Sequence, residues 1–128
     1  MTIPSATDKA ISVGAYDTST DKVATFSGRG FTRENNQIKP DIVAPGVNIR
    51  SAATGGGTTV LSGTSMATPF VTGSAALLME WGIVRGNDAF LYGEKLKAHL
   101  IKGSLPLNVM NIPDDVTGWG KMCMAQSI

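Results

Sequence analysis

The strongest chemical signal in the chain is a serine, Ser65, within the string GTSMATP at residues 63–69. The string lies between an apolar β-type segment and a long run of small and apolar residues that is typical of a helix. A serine at this junction lies beside the first amides of the helix, which have no intrahelical acceptor and mark the positive end of the helix dipole. Those amides would stabilise an oxyanion. If Ser65 is a nucleophile, this position makes physical sense, and its own backbone amide would be one oxyanion donor.

The residues next to Ser65 fit the same role. Gly63 has no side chain and would let a substrate backbone approach closely, and Thr64 is a candidate N-cap of the helix. If Ser65 is the nucleophile, Gly63 and Thr64 are the candidate substrate-binding residues. Pro69 has no N–H to donate to the Ser65 carbonyl, which should loosen the first turn. The alternative is that Thr64 or Ser65 only caps a core helix, which is the usual role of an isolated Thr-Ser pair.

The elements that position Ser65 are predicted from hydrophobic periodicity and turn residues. Short β-type segments occupy residues 10–15, 23–27, 41–44, 47–53 and 58–62, and a further short strand is expected near 119–124. The run 64–81 predicts a helix that is apolar on all sides and therefore buried on all sides, with Gly82 as its stop. A second helix is predicted over 92–102, ended by Gly103, with Lys95 and Lys97 in solvent. This order of elements predicts a layered α/β fold.

Composition excludes several classes of protein. Apolar residues make up 42% and charged residues 16%, which does not fit a disordered chain. The net charge is +1 without blocks of like charge, so neither a nucleic acid nor an anionic membrane surface is an expected partner. The single cysteine, Cys123, excludes an intrachain disulfide and a cysteine zinc site. The apolar part of the uncharged run, residues 66–79, is shorter than the about 20 residues that a membrane span needs.

The string at residues 63–69 resembles the active-serine motif Gly-Thr-Ser-Met-Ala-x-Pro of the subtilisin-like serine proteases, the subtilases. Matching six specified positions by chance in a chain of this length has a probability of about one in a million. The resemblance covers residues 3–82, with ISVGA at 11–15 and KPDIVAPG at 39–46, and extends more weakly to 118–120. Residues 81–88 resemble clostridial members, including the spore-germination branch. Phe70 departs from the pattern, because the family usually has a histidine outside the triad at this position.

The resemblance implies that Ser65 attacks a peptide carbonyl of a polypeptide substrate and forms an acyl-enzyme. In the family, the triad aspartate and histidine and an oxyanion-hole asparagine precede the serine in the chain. No segment before Ser65 matches their motifs. Residues 1–128 are therefore expected to be the C-terminal part of a subtilase catalytic domain, with parallel strands and a buried central helix after the active serine. Alone, this part is expected to be inactive, because a serine without a base is a weak nucleophile.

The same resemblance names two expected partners besides substrate. The first is the missing N-terminal part of the same domain. The second is another copy of this chain, because removal of the N-terminal part should expose apolar surface that promotes association. We expect no cofactor. The resemblance allows a structural calcium or sodium ion in the parent protein and assigns it to no residue here. The compartment stays open, with a secreted and a spore-associated bacterial protein as alternatives.

Other residues of catalytic types are assigned structural roles. His99, the only histidine, follows Ser65 on the second predicted helix, where a surface or half-buried histidine is the commoner case. Asp41 is expected to be structural, with a nearby cation in some relatives as the alternative, and Cys123 is expected to be a buried tail residue. The remaining candidates lie outside the family's acid motif or in predicted turns: Asp8, Asp17, Asp21, Asn35 and Asn36.

Two further functions stay open at this point. The first is a pseudoprotease or germination-receptor-like binding module, in which the parent protein has also lost its acid or its base. The second is a structural α/β module in which the motif is coincidental.

Overall fold

The sheet that carries the candidate site has three strands. The computed structural model describes residues 5–33, 35–108 and 111–128. Strands β1 (Val13–Asp17), β2 (Lys22–Val23) and β3 (Ile42–Pro45) lie in the order β2-β1-β3. β1 and β3 are parallel with Val13 opposite Ile42, and β2 is antiparallel to β1. The first three residues of β3 are buried, as is typical of a parallel strand with neighbours on both faces.

A separate hairpin leads from the sheet into the main helix. Its strands are β4 (Ile49–Ala52) and β5 (Thr58–Leu61), which pair antiparallel with Ile49 opposite Leu61. The turn between them contains Gly55, Gly56 and Gly57 with φ of 84°, 99° and 75°, a run of left-handed conformations that only glycine adopts at low cost. Both strands are largely exposed.

Two helices follow. α1 spans Thr64–Met79 and continues directly into a π-helical segment, Glu80–Val84; α2 spans Gly93–Lys102, and a short 3₁₀ helix spans Met124–Gln126. The prediction that Gly82 stops the first helix is wrong. Gly82 lies inside the π-helical segment and packs against Leu91, where an added Cβ would lie 2.7 Å from Leu91 Cδ2. The glycine therefore reflects close packing, and the helix ends before Gly86, which has a φ of 77°.

Burial of α1 is one-sided. Ala67, Val71, Ser74 and Leu78 are buried against β1 and β3. On the other side Phe70 is 40% exposed and Leu77 is 54% exposed. The expected burial on all sides is therefore absent from these 128 residues, because the described part of the chain supplies a packing layer on one side of α1 only. We call the exposed residues Phe70, Gly73 and Leu77 the open helix face; they follow the i, i+3, i+7 spacing of one helix face.

The helical stretch Thr64–Val84 has 21 residues and a mean hydropathy of 1.2, which by length and composition alone would allow it to cross a membrane. The core helix of a globular protein has the same properties, so this is weak evidence for a span. The stretch is longer than the apolar run at residues 66–79 because the helix begins at Thr64 and continues through Glu80 to Val84.

Each of the five predicted segments before residue 63 overlaps a strand of the structure, although the ends differ. The predicted segment 23–27 contributes only Val23 to β2, because the chain turns at Ala24, whose carbonyl accepts the Ser27 amide at 3.0 Å. The expected tail strand is reduced to isolated bridges at Lys121, which join it to Val43 and Leu105. The end of α2 at Gly103 is confirmed. The core that results joins both helices to the sheet and contains Ala15, Ala24, Ile42, Ala44, Ala67, Val71, Leu78, Leu91, Leu96 and Leu100.

Candidate active site

Ser65 is the second residue of α1, and its side chain is exposed. The residue that precedes the helix is Gly63, which has an extended backbone with φ of 160° and ψ of 162°. Its carbonyl accepts the Met66 amide at 3.0 Å and so closes the first turn. The prediction that Thr64 is the N-cap is therefore wrong: Thr64 is the first helical residue, and no side chain caps this end.

The start of α1 is fixed to the sheet through glycine backbone. The Gly63 amide donates to the Gly46 carbonyl at 2.8 Å, and the Gly46 amide donates to the Tyr16 carbonyl at 3.0 Å. Gly46 lies so close to β1 that an added Cβ would be 2.6 Å from Ala15 Cβ. Because Gly46 directly follows β3 and Tyr16 lies near the end of β1, Ser65 is placed at the carboxyl ends of two parallel strands. Ligand sites of α/β sheets lie at this edge.

The surroundings of Ser65 favour a negative charge. The Ser65 amide belongs to the first helical turn, where backbone N–H groups have no intrahelical acceptor. The first turn contains no acidic side chain that would oppose an anion at the positive end of the dipole. Within the described residues, neither the hydroxyl nor the amide of Ser65 has a hydrogen-bond partner. Both groups are therefore open to a bound molecule.

Gly63 and Thr64, the candidate substrate-binding residues, directly precede Ser65 in the chain. An added Cβ at Gly63 would be 3.4 Å from Met66 Sδ, which is ordinary contact, so packing within this chain does not require glycine there. The Thr68 hydroxyl donates to the Thr64 carbonyl at 3.0 Å. Pro69 lies inside α1 without an N–H to offer the Ser65 carbonyl. The close approach of a substrate backbone to Gly63 stays a prediction.

No candidate base is joined to Ser65 by a hydrogen bond in the part of the chain that the structure describes. His99 is half-buried on α2, and its Nδ1 lies 3.0 Å from the Ser127 carbonyl. Asp21 forms an ion pair with Lys121 at 3.0 Å. These contacts agree with the structural roles predicted for His99 and Asp21.

The other candidates also have local roles. Asp17 accepts the Ser19 hydroxyl at 2.7 Å and the Ser19 amide at 2.8 Å, and these hydrogen bonds lower the pKa of Asp17. Asn36 has the left-handed φ of 54° that turn asparagines adopt, and its amide donates to the Thr32 carbonyl at 3.1 Å. Cys123 is a free thiol and half-buried, less buried than predicted.

Asp41 lies between two lysines that the sequence did not identify as its partners. Lys39 Nζ is 2.7 Å from Asp41 Oδ2, and Lys97 Nζ is 2.9 Å from Asp41 Oδ1. Lys39 is 1% exposed and Asp41 is 5% exposed. Burial lowers the pKa of Lys39, and the hydrogen bond and charge of Asp41 act in the opposite direction. The prediction that Lys97 lies in solvent is wrong, because its side chain is only 15% exposed.

The positive charges beside Asp41 are therefore the ammonium groups of Lys39 and Lys97. Within the described ranges no group of three or more histidine, cysteine, aspartate or glutamate side chains is arranged to hold a metal ion. Lys39 lies before β3, outside any strand of the structure, and Lys97 lies on α2, so no local sequence pattern could have identified either lysine as a partner of Asp41.

Comparison with known proteins relates the chain to proteases. The model of the subtilase family matches residues 1–120. The PII-type proteinase of Lactococcus lactis subsp. cremoris is 41% identical over 91 residues, which cover 71% of this chain and 5% of that protein. The serine protease AprX of Bacillus subtilis is 40% identical over an alignment of 97 residues, and the match covers 60% of this chain and 22% of that protein.

A solved structure gives the same relationship. The CspB protease of Clostridium perfringens superposes with a TM-score of 0.91 and 46% sequence identity, covering 98% of this chain and 27% of that one. The chain thus spans a minor part of each relative, and the α/β fold predicted from the sequence is confirmed over that part. By sequence and by structure, this chain belongs to the subtilase family.

Proposed function

We propose that Ser65 is the nucleophile of a serine endopeptidase, and that polypeptide outside residues 1–128 supplies the base and the acid. The observation that carries the proposal is the exposed Ser65 hydroxyl at the start of α1, beside an amide without a partner among the described residues. The relatives named above are proteinases or proteases, which supports a peptide bond as the target.

The reaction assigns a role to each group of this chain. Ser65 Oγ forms a bond to the carbonyl carbon of the substrate while its proton passes to the external base. The carbonyl oxygen becomes an oxyanion that accepts a hydrogen bond from the Ser65 amide. The Met66 amide is already bonded to the Gly63 carbonyl, so it is not available as this donor. The base then gives its proton to the amine nitrogen as the C–N bond breaks, which leaves an acyl-enzyme, and water hydrolyses the acyl-enzyme to restore the Ser65 hydroxyl.

The chain alone should lack this activity. Its only histidine, His99, contacts the Ser127 carbonyl through Nδ1. A serine hydroxyl without an adjacent base is a weak nucleophile. The external polypeptide is therefore part of the proposed active site.

A fluorophosphonate probe tests the proposal, because it phosphonylates serines that a base activates. The probe is applied to the longest natural form of the protein and to the 128-residue chain, and the labelled residue is mapped by mass spectrometry. We expect label on Ser65 in the longer protein, none in its Ser65→Ala variant, and little in the short chain. Ser51→Ala removes an exposed serine of β4 and should not change labelling.

Two outcomes would contradict the proposal. A longer protein that is folded but unlabelled at Ser65 would favour the pseudoprotease or receptor-like module. Equal labelling of the short chain and the longer protein would show that no external base is needed.

A further inference from the structure

The ion cluster of Lys39, Asp41 and Lys97 holds the described segment that leads into β1. Lys39 Nζ donates to the Thr7 carbonyl at 3.2 Å, to the Ala10 carbonyl at 3.3 Å and to Asp41 Oδ2 at 2.7 Å. An ammonium group has three donors. The Lys39 ammonium therefore has an acceptor for each of its three N–H groups.

Lys97 reaches the same place from α2. Its Nζ donates to the Asp8 carbonyl at 2.9 Å and to the Ala10 carbonyl at 3.1 Å, and lies 2.9 Å from Asp41 Oδ1. The carbonyl oxygens of Thr7, Asp8 and Ala10 and the two carboxylate oxygens of Asp41 thus converge on two ammonium groups. We call these five oxygens the oxygen cage.

The oxygen cage has the composition of a site for a hard metal cation. Backbone carbonyls and a carboxylate are the ligands that calcium takes from proteins, and alkali ions use the same oxygens. The Ser12 amide also donates to Asp41 Oδ2 at 2.7 Å, which fixes the carboxylate. A metal ion does not fit here, however, because two positive charges already lie against one carboxylate at the distances of direct contact.

We propose that the ammonium groups of Lys39 and Lys97 occupy a cation site in this chain, and that they order residues 7–12 without a calcium or sodium ion. The site lies at the amino end of β3, away from Ser65 at the carboxyl end, so the inference does not depend on Ser65 reacting. It has two consequences. Stability should not depend on which inorganic cation is present, and removal of one ammonium should open the oxygen cage to such a cation.

Thermal unfolding of the 128-residue chain in four salts tests both consequences. Choline chloride is too large for the cage and serves as the reference, and KCl, NaCl and CaCl₂ are compared with it at matched ionic strength. The wild-type Tm should agree between salts to within about 1 °C, since no specific ion binds. Lys39→Met should lower the Tm in choline chloride by about 5 °C or more, because Thr7 loses its donor and the buried carboxylate loses one cation.

The decisive result is the response of Lys39→Met to inorganic cations. At least one of potassium, sodium and calcium should restore about half of the lost Tm or more, by binding only the folded form. Lys95→Met is the matched control, because Lys95 pairs with Asp88 at the surface, and this variant should respond equally to all four salts. If Lys39→Met does not fold in any salt, Lys97→Met, which removes the ammonium at the exposed rim of the cage, decides in its place.

Three results would overturn the inference. The first is a wild-type Tm that rises in one inorganic salt and not in choline chloride, since a metal would then bind with both lysines in place. The second is a Lys39→Met or Lys97→Met variant that responds to inorganic cations no more than to choline. The third is a Lys95→Met control that shows the same cation-specific recovery.

Discussion

Gly46 should be indispensable for the position of Ser65, and Gly46→Ala tests this. The added Cβ would be 2.6 Å from Ala15 Cβ and 2.9 Å from the Gly63 carbonyl oxygen. These distances fall short of ordinary contact, 3.4 Å, by about 0.8 Å and about 0.5 Å, and neither neighbour is the end of a flexible side chain. The backbone that connects β3 to the start of α1 must therefore move.

The expected cost follows from that displacement. Overpacking of a well-packed site costs about 1–3 kcal/mol, and the hydrogen bond from Gly63 to the Gly46 carbonyl is strained in addition, so we expect about 2 kcal/mol. In a chain of this length that corresponds to a Tm lower by about 6–10 °C. A shift of Ser65 by a fraction of an ångström should also slow fluorophosphonate labelling of the longer protein at least about tenfold.

Gly73→Ala is the matched control for this substitution. Gly73 lies on the open helix face with nothing within 4 Å of an added Cβ. Alanine is the better helix former, so this variant should be more stable than wild type by about 0.5–1 kcal/mol. Equal thermal stability of Gly46→Ala and wild type, or equal changes in both variants, would refute the assignment of Gly46 as the support of the site.

Three further predictions concern the helices. Leu78→Ala should lower the free energy of unfolding, measured by chemical denaturation, by about 2–5 kcal/mol because Leu78 is fully buried, whereas Leu77→Ala should lower it by less than about 1 kcal/mol. Similar losses in the two variants would contradict the one-sided burial of α1. The chain should self-associate at high concentration in light scattering, and Leu77→Glu should reduce this association, so a strictly monomeric wild-type chain would count against it. The hydrogen bond from Lys95 lowers the pKa of Asp88. It therefore stabilises the folded chain above the pKa that Asp88 has in the unfolded chain, and this contribution is lost as pH falls through the folded pKa. Lys95→Met should raise the Asp88 pKa in an NMR titration, and an unchanged pKa would exclude this contact.

The sequence predicted the elements around Ser65 because their signals are local. The small and apolar run after residue 63 specifies a helix, whatever packs around it. The motif around Ser65 identified the family, and the match to the family model confirms this assignment. The first helical residue was misplaced by one position, because a cap is decided by backbone conformation at Gly63 and not by residue type alone.

The errors concern contacts between segments that are distant in the chain. Gly82 looked like a helix stop, but it is required by its contact with Leu91. Lys97 looked like a solvent-facing helix residue until α2 was placed against Asp41, which is far away in sequence. Burial of Phe70 and Leu77 could not be predicted from their hydrophobicity, because burial depends on which other layer is present.

The most direct test of the account is hydrolysis of a peptide ester by the longer natural protein, its Ser65→Ala variant and the 128-residue chain, measured side by side. If Ser65 is the nucleophile and its base lies elsewhere, the longer protein turns over the ester and the variant loses at least about a thousandfold in rate. The 128-residue chain should then remain at the level of the variant. Turnover by the longer protein that survives Ser65→Ala, or turnover by the short chain that Ser65→Ala abolishes, would contradict the account.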